Sequence, residues 1–318
     1  MDRSTESSND RTRAALTACE LYYGKNLPQK EVARQLGVSP ATVSRLLQSA
    51  RDEGIVRITI HPPQDIALAQ QLVERFGPQG VRHASAAGEG QASVGQSAAR
   101  YFEATVEPGA TVVLDGGRTV EQFVDALPSG GVAGLTIIPI ATDPPSYSVS
   151  AYELMTRLAA RFDRAIKQKL PYSLHRQLDP IYEEGRQAAR QADFVMLGCG
   201  PWASGYTAQE FLYHLGYDPP EVGRRHPQVV GACAYQPLSA DGQPVYAPEV
   251  HDTMRHALLI EDLRELSEDA DRSICLLASG AAKRDTVLGV IAARMCNCLF
   301  VDVELARALL DLPPNGGG

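Results

Sequence analysis

The 318-residue sequence has one tryptophan, six cysteines and no C-x-x-C pair. Cys19, Cys199, Cys233, Cys275, Cys296 and Cys298 offer no metal-ligand pattern: no His or further Cys accompanies the close pair Cys296 and Cys298 at ligand spacing, so no metal is expected. Four of the six sit in apolar, strand-like runs, as buried reduced thiols do. No run of about 18 apolar residues occurs; the nearest, residues 286–301, is broken by Arg294 and Asn297. The opening MDRSTESSNDRTR lacks the apolar stretch and cleavage site of a secretory signal, so the protein is expected to be soluble and cytoplasmic, with residues 1–10 a disordered tail. There is no Walker-type loop, no H-E-x-x-H, and no glycine two residues before Ser204 as a nucleophile elbow requires. His175, His214, His226, His251 and His256 form no metal-binding or catalytic spacing either. No catalytic residue and no cofactor is assigned.

What is present is length and apolar content, 44%, enough for at least two cores. The formal charge is -8, unevenly spread. Residues 1–61 hold nine Lys/Arg against seven Asp/Glu, leaving 21 against 31 for the rest. An acidic body with a locally basic head suits a protein in which only the head meets a polyanion.

The head carries the clearest pattern. In QKEVARQLGVSPATVSRLLQ, Val32, Ala33 and Leu36 make one inward stripe; Val43, Leu46, Leu47 and Ala50 make another, with Ala41, Arg45 and Gln48 opposite. Gly37 supplies the backbone freedom for a turn, and Ser39 with Pro40 starts the second helix sharply. Ala33, Gly37, Val38, Val43 and Leu46 together resemble a DNA-binding helix-turn-helix. An upstream helix, about Thr12 to Tyr23, is expected to add Leu16, Cys19 and Tyr23 to its core, and IVRITI after Gly54 reads as a wing-like strand. Such a unit lays its second helix in the major groove. Thr42, Ser44, Arg45 and Gln48 are the base-reading candidates, Arg45 suited to guanine and Gln48 to adenine, while Lys30, Arg34, Arg51 and Arg57 suit phosphates; Ser39 opens the same helix at the DNA. The bland alternative is a structural helical hairpin.

His61–Asp65, HPPQD, breaks the pattern and marks the domain boundary, giving 11–61 as the DNA-binding domain and 62–318 as the second. Beyond it, apolar runs at 111–114, 135–140, 194–197, 229–233, 274–278 and 298–301 alternate with helical periods near 93–106, 119–127, 150–164, 178–191, 260–268, 281–295 and 303–311. This predicts a mainly parallel sheet covered by helices on both faces, with ligands held outside the carboxyl ends of its strands. Two loops there carry glycine and positive charge. The first is Asp115-Gly116-Gly117-Arg118-Thr119; the second has Ser279-Gly280 with Lys283 in the next helix's first turns. Glycines let backbone N–H groups approach a ligand, and helix N-termini favour anions. Asp143 follows a strand as either a hydroxyl ligand or an ordinary turn residue, and Trp202 as either a sugar-stacking ring or core filling.

PQKEVARQLGVSPATVSRLLQSARDEGIVRITI, GGRT, QADFVMLGCG and SGAAKRDTVLGVIAARMCNCLFVDVELARALL, in this order, resemble the SorC-type (SorC/DeoR) sugar-responsive bacterial transcription regulators over nearly the whole chain. The resemblance implies a winged-helix-like head and a Rossmann-like α/β effector domain similar to sugar-phosphate isomerase folds. By it, Gly117, Arg118, Thr119, Gly198, Gly200, Ser279, Gly280 and Lys283 line an effector cavity, and the protein binds a roughly palindromic operator as a homodimer or homotetramer. One departure affects the ligand: where the family often shows Ser-Trp before Gly-Arg-Thr, this chain has Asp115-Gly116. A carboxylate repels phosphate but accepts sugar hydroxyls, so a free sugar or polyol stands beside a sugar phosphate held by Lys283 and Arg118. The alternative function is an isomerase-like enzyme with an accessory DNA-binding head.

Overall fold

A computed structural model of the chain describes residues 12–53, 55–56, 64–142, 149–170, 180–202, 212–213, 216–248 and 255–312, and the chain divides into two compact units between Ile60 and His61. The expected tail at 1–10 and most of the expected wing strand, Arg57 included, lie outside the described residues.

In the first unit, α1 (12–19) runs into a π turn, Glu20–Gly24, and is followed by α2 (Gln29–Leu36) and α3 (Pro40–Asp52). α2 ends at Gly37, whose φ of +67° is left-handed, and the Val38 N–H then closes on the Ala33 carbonyl at 3.0 Å. α3 starts at Ser39, whose Oγ accepts the Thr42 N–H at 3.1 Å, with Pro40 where no backbone donor is needed. Val32, Ala33, Val43, Leu47 and Ala50 meet Ala15, Ala18, Cys19 and Leu21 in one core, with Leu36 and Leu46 at its margin. Three expected core residues are instead exposed: Leu16 at 45%, Tyr23 at 37% and Val38 at 37%. Beyond Cys19 the wider π turn rotates less per residue than an α-helix, and it buries Leu21, with Tyr22 packed beside it, while Tyr23 stays at the surface. The small Ala15 and Ala18 form the packed face of α1 and leave Leu16 on its flank, while Val38 falls within the turn, outside the α3 stripe.

The second unit contains, in order, α4 (Ile66–Phe76), β1 (His83–Ala87), α5 (Gly90–Thr105), β2 (Thr111–Leu114), α6 (Arg118–Ala126), β3 (Thr136–Pro139), α7 (Ala151–Ala159), β4 (Ile166–Lys167) and α8 (Pro180–Ala189). There follow β5 (Phe194–Pro201), α9 (Pro219–Arg225), β6 (Val229–Cys233), β7 (Gln236–Ser239), α10 (Ile260–Glu268), β8 (Ser273–Ala278), α11 (Arg284–Ala292), β9 (Cys298–Asp302) and α12 (Val303–Leu309). Seven strands form a parallel sheet in the order β1-β9-β8-β5-β2-β3-β4. β6 was expected in that sheet but departs from it. It pairs antiparallel with the protruding end of β5, Cys199–Pro201, and forms a hairpin with β7. An apolar run alone does not distinguish the two directions; the two-residue link to β7 forces antiparallel pairing here.

Successive residues of each central strand feed opposite layers, as the two-residue period of a strand requires. Val113, Val195, Leu197, Ile274 and Leu276 face the layer containing α4, α10 and α11, whereas Val112, Leu114, Met196, Cys275 and Leu277 face the layer containing α5, α6 and α7. Both faces being covered, these strands read as unbroken apolar runs. The chain leaves β2 towards β3 and β4, then returns to β5 on the other side of β2. That reversal opens a crevice between the carboxyl ends of β2 and β5, where an open α/β sheet takes its ligand.

Candidate functional site

On the first unit, Ala41, Ser44, Arg45 and Gln48 are exposed along α3 and Thr42 is half-buried at its first turn. Ser39 is committed to capping: its Oγ holds Thr42 through both the backbone N–H and the hydroxyl, at 3.1 and 2.9 Å. Arg45 folds back weakly on the Ala41 carbonyl at 3.4 Å. Gln48 is engaged at both ends, donating to Asp52 at 2.7 Å and accepting from Arg51 at 2.7 Å, and Arg51 also donates to the Tyr23 hydroxyl at 3.3 Å. Arg34 pairs with Glu31 at 2.6 Å, which holds the Glu31 carboxyl down at about 2; Lys30 is exposed. Arg34 thus carries an acidic escort that a phosphate must displace.

On the second unit, α6 begins directly after Gly117, whose φ of +104° suits glycine alone and whose N–H donates to the Val149 carbonyl at 2.8 Å. No side chain caps α6, so its first-turn N–H groups face the crevice end of β2. Thr119 in that turn is 3% exposed, and its Oγ1 has no hydrogen-bond partner among the described residues. Asp115 is 4% exposed and turned towards β5: one oxygen accepts the Gly116 N–H at 2.7 Å, the other the Gly198 N–H at 3.0 Å. The carboxylate brackets the two strand ends across the crevice. Gly198 packs under the Gly116 carbonyl, so a side chain there would press on the loop.

The second loop lies across β5. Gly280 has φ +91°, and a Cβ on either Gly280 or Gly117 would meet nothing within 4 Å, so space beside both is open. Lys283 is only 8% exposed, and its ammonium makes no hydrogen bond or ion pair among the described residues. Cys199 lies close to both poles: burial pushes its thiol up to about 11, with Lys283 opposing that rise and Asp115 reinforcing it. Ser279 and Gly280 direct their donors elsewhere. The Ser279 hydroxyl donates to Asp302 at 2.7 Å, and the same carboxylate accepts N–H groups from Gly280 at 3.0 Å, Leu305 at 2.9 Å and Gly90 at 3.3 Å. Asp302, 2% exposed, is a hub for three loops that sequence reading did not single out. Its place directly before a helical period, where an N-cap belongs, was the available signal. Gly200 is buried and pairs with Ala232 of β6. Trp202 packs against the main core over Gly223, and Asp143 lies outside the described residues.

A cleft of about 450 Å³ opens at the other end of the sheet, between the amino ends of β5 and β8. Its Arg190 pairs with Asp262 at 2.8 Å and its Arg272 with Asp269 at 2.9 Å, so both of its cations are already paired. The crevice at Asp115 and Lys283 is the opposite case: Lys283 is a buried residue whose ammonium has no ion pair among the described residues, and both it and Asp115 act on Cys199.

A helix-turn-helix with an exposed reading face, on the same chain as a parallel α/β domain with a ligand crevice at its reversal point, defines a ligand-responsive DNA-binding regulator. Comparison with known proteins agrees. Residues 61–311 match the family described as "Putative sugar-binding domain", and residues 20–57 match a winged helix-turn-helix DNA-binding family. The chain is 28% identical to the sorbitol operon regulator of Klebsiella pneumoniae, covering 96% of this chain and 99% of that protein. It is 26% identical to the deoxyribonucleoside regulator of Bacillus subtilis (strain 168), covering 95% and 98%. Among solved structures, the full-length sorbitol operon regulator SorC from Klebsiella pneumoniae shares the fold at TM-score 0.66 and 24% identity, over 95% of this chain and 99% of that one. The chain belongs to this sugar-binding-domain family, and it is a transcriptional regulator of the SorC type.

Proposed function

We propose that a small carbohydrate bound between the β2–α6 and β8–α11 loops sets the affinity of this regulator for its operator. The observation that carries the reading is Lys283: a lysine only 8% exposed, whose ammonium has no partner among the described residues, is a place where an anion lowers the cost of burial. The uncapped N-terminus of α6, at the carboxyl end of β2, offers further N–H donors, and among the described residues the Thr119 hydroxyl lacks a partner. A sugar phosphate answers these groups, its anion towards Lys283, Arg118 and α6, its hydroxyls towards Asp115. The names of the relatives, a sorbitol operon regulator and a deoxyribonucleoside regulator, point to polyol and pentose frameworks. Thr42, Ser44, Arg45 and Gln48 read bases; Lys30, Arg34, Arg51 and Arg57 hold phosphates. The protein works in the cytoplasm, as a homodimer or homotetramer on a roughly palindromic operator, and its body does not transform its ligand.

An effector acts only through unequal affinity for the DNA-competent and incompetent arrangements, so operator and effector must shift each other's binding by the same factor. The test is operator binding by fluorescence anisotropy at fixed salt, titrated with sorbitol, ribose, their terminal phosphates and inorganic phosphate. Phosphorylated probes are expected to shift operator affinity and free sugars to fail. A response confined to a free polyol would reassign Asp115 as the anchor; turnover of any probe seen by NMR would favour the enzyme.

A further inference from the structure

The β6–β7 hairpin turns in two residues, Ala234 and Tyr235, with Cys233 paired to Gln236. Both turn residues have left-handed backbones, φ +52° and +59°. A two-residue hairpin needs positive φ at both positions, and asparagine or glycine normally supplies it. Alanine and tyrosine there store strain of about 1 kcal/mol or more per residue. Such strain persists only where the surroundings hold it, and it gathers at ligand clamps and switch regions.

What holds the turn is visible on both sides. The Tyr235 ring packs against the main core, and its hydroxyl occupies the space that a side chain at Gly116 would need: a Cβ built on Gly116 would collide with it and would lie 2.8 Å from the Val149 carbonyl oxygen. Gly116 is therefore small because Tyr235 is there. Along the hairpin, Gly231 packs against Thr286 of α11, which donates to the Val230 carbonyl at 3.2 Å, and Gly289 of α11 packs against Leu238 of β7. One hairpin thus touches the β2–α6 loop with its tip and the helix after Lys283 with its body.

We propose that Tyr235 is a specificity-determining residue of the effector crevice, its phenol forming the wall over Gly116 and hydrogen-bonding the hydroxyl-bearing part of the ligand. The inference rests on the effector reading above. The hydroxyl stands against Gly116, next in sequence to Asp115, the group assigned to the ligand's hydroxyls, so it discriminates among carbohydrate frameworks and not between phosphate and its absence.

The test uses the full chain, with Tyr235→Phe, Tyr235→Gly and Gly116→Ala, and reads both melting temperature and dissociation constants for sorbitol 6-phosphate, ribose 5-phosphate and inorganic phosphate. Tyr235→Phe keeps the ring and its packing on the core; it should weaken the sugar phosphates about tenfold and leave inorganic phosphate unchanged. Tyr235→Gly relieves the turn but removes a ring packed against the core, so it should melt below the parent, with an equal or greater loss of sugar-phosphate binding. Gly116→Ala should lower both melting temperature and affinity, and its cost in melting temperature should be smaller in a Tyr235→Gly background, where the collision with the phenol is gone and the backbone contact with Val149 remains. If the parent responds to none of the three probes, the effector reading falls and Tyr235 with it. If the parent responds and Tyr235→Phe binds the sugar phosphates within about twofold of it, only the role of Tyr235 is overturned.

Discussion

At the scale of single residues, the reading face of α3 is occupied before DNA arrives. Gln48 spans Asp52 and Arg51, and Arg34 is held by Glu31, so recognition exchanges internal hydrogen bonds for base and phosphate contacts. Arg45→Ala should cost about 1–3 kcal/mol on the cognate operator and relax preference at one base pair, whereas Lys30→Ala should weaken all duplexes alike and lower the salt slope by about 0.9. Anisotropy at several salt concentrations separates the two. In the crevice, burial holds the Cys199 thiol up at about 11 against the pull of Lys283. Thiolate is then scarce at neutral pH and rises about tenfold per pH unit below that value, and alkylation of Cys199 should follow the same slope. Lys283→Gln removes the cation that opposes the rise, so it should slow alkylation at every pH between 7 and 9. Mass spectrometry of the Cys199 peptide reads this directly; faster labelling would mean that Lys283 shields the thiol sterically.

At the scale of elements, the ligand loops are aimed by helices packed with little slack. α5 and α6 touch at Gly95, where a Cβ would lie 2.6 Å from the Phe123 nitrogen, and α6 carries Arg118 and Thr119 at its start. Gly95→Leu should push α6 outward, lower the melting temperature by an amount matching about 1–3 kcal/mol, and weaken effector binding although it touches no ligand. Calorimetry with effector titration checks both effects. Asp302 aims three loops at once; Asp302→Ala should cost about 3–5 kcal/mol, since it strands buried donors on Ser279, Gly280 and Gly90. Chemical denaturation measures it. How far such elements could be read from the chain depended on how local their cause is. β2, β8 and β9 showed as apolar runs because both faces are covered, and Gly117, Arg118, Thr119 and Lys283 stood out because glycine after a strand and a cation near a helix start are adjacent in sequence. β1 is HASAA, too small and polar to announce a strand, and β7 contains a proline. β4 is two exposed residues, and α4 begins at Ile66, which is 69% exposed. Asp302 and Tyr235 act across long sequence separations that no local window spans.

At the scale of the whole molecule, the proposal requires two heads presented together, because operator half-sites about one helical turn apart are read by paired recognition helices. Sedimentation should show a dimer or tetramer, with and without operator. A monomer under both conditions would remove the palindromic operator from the account. The sheet order carries a last consequence, for synthesis. β1 opens the sensing domain, yet its ladder partner in the sheet is β9, and the Gly90 loop is fastened by Asp302 at the end of that same strand. The helix-turn-helix needs none of this and packs from its own residues. On the ribosome, the head therefore completes its core first, while the sensor stays unfinished until its final strand emerges. A nascent or prematurely terminated chain holds a formed head with no means of hearing the effector.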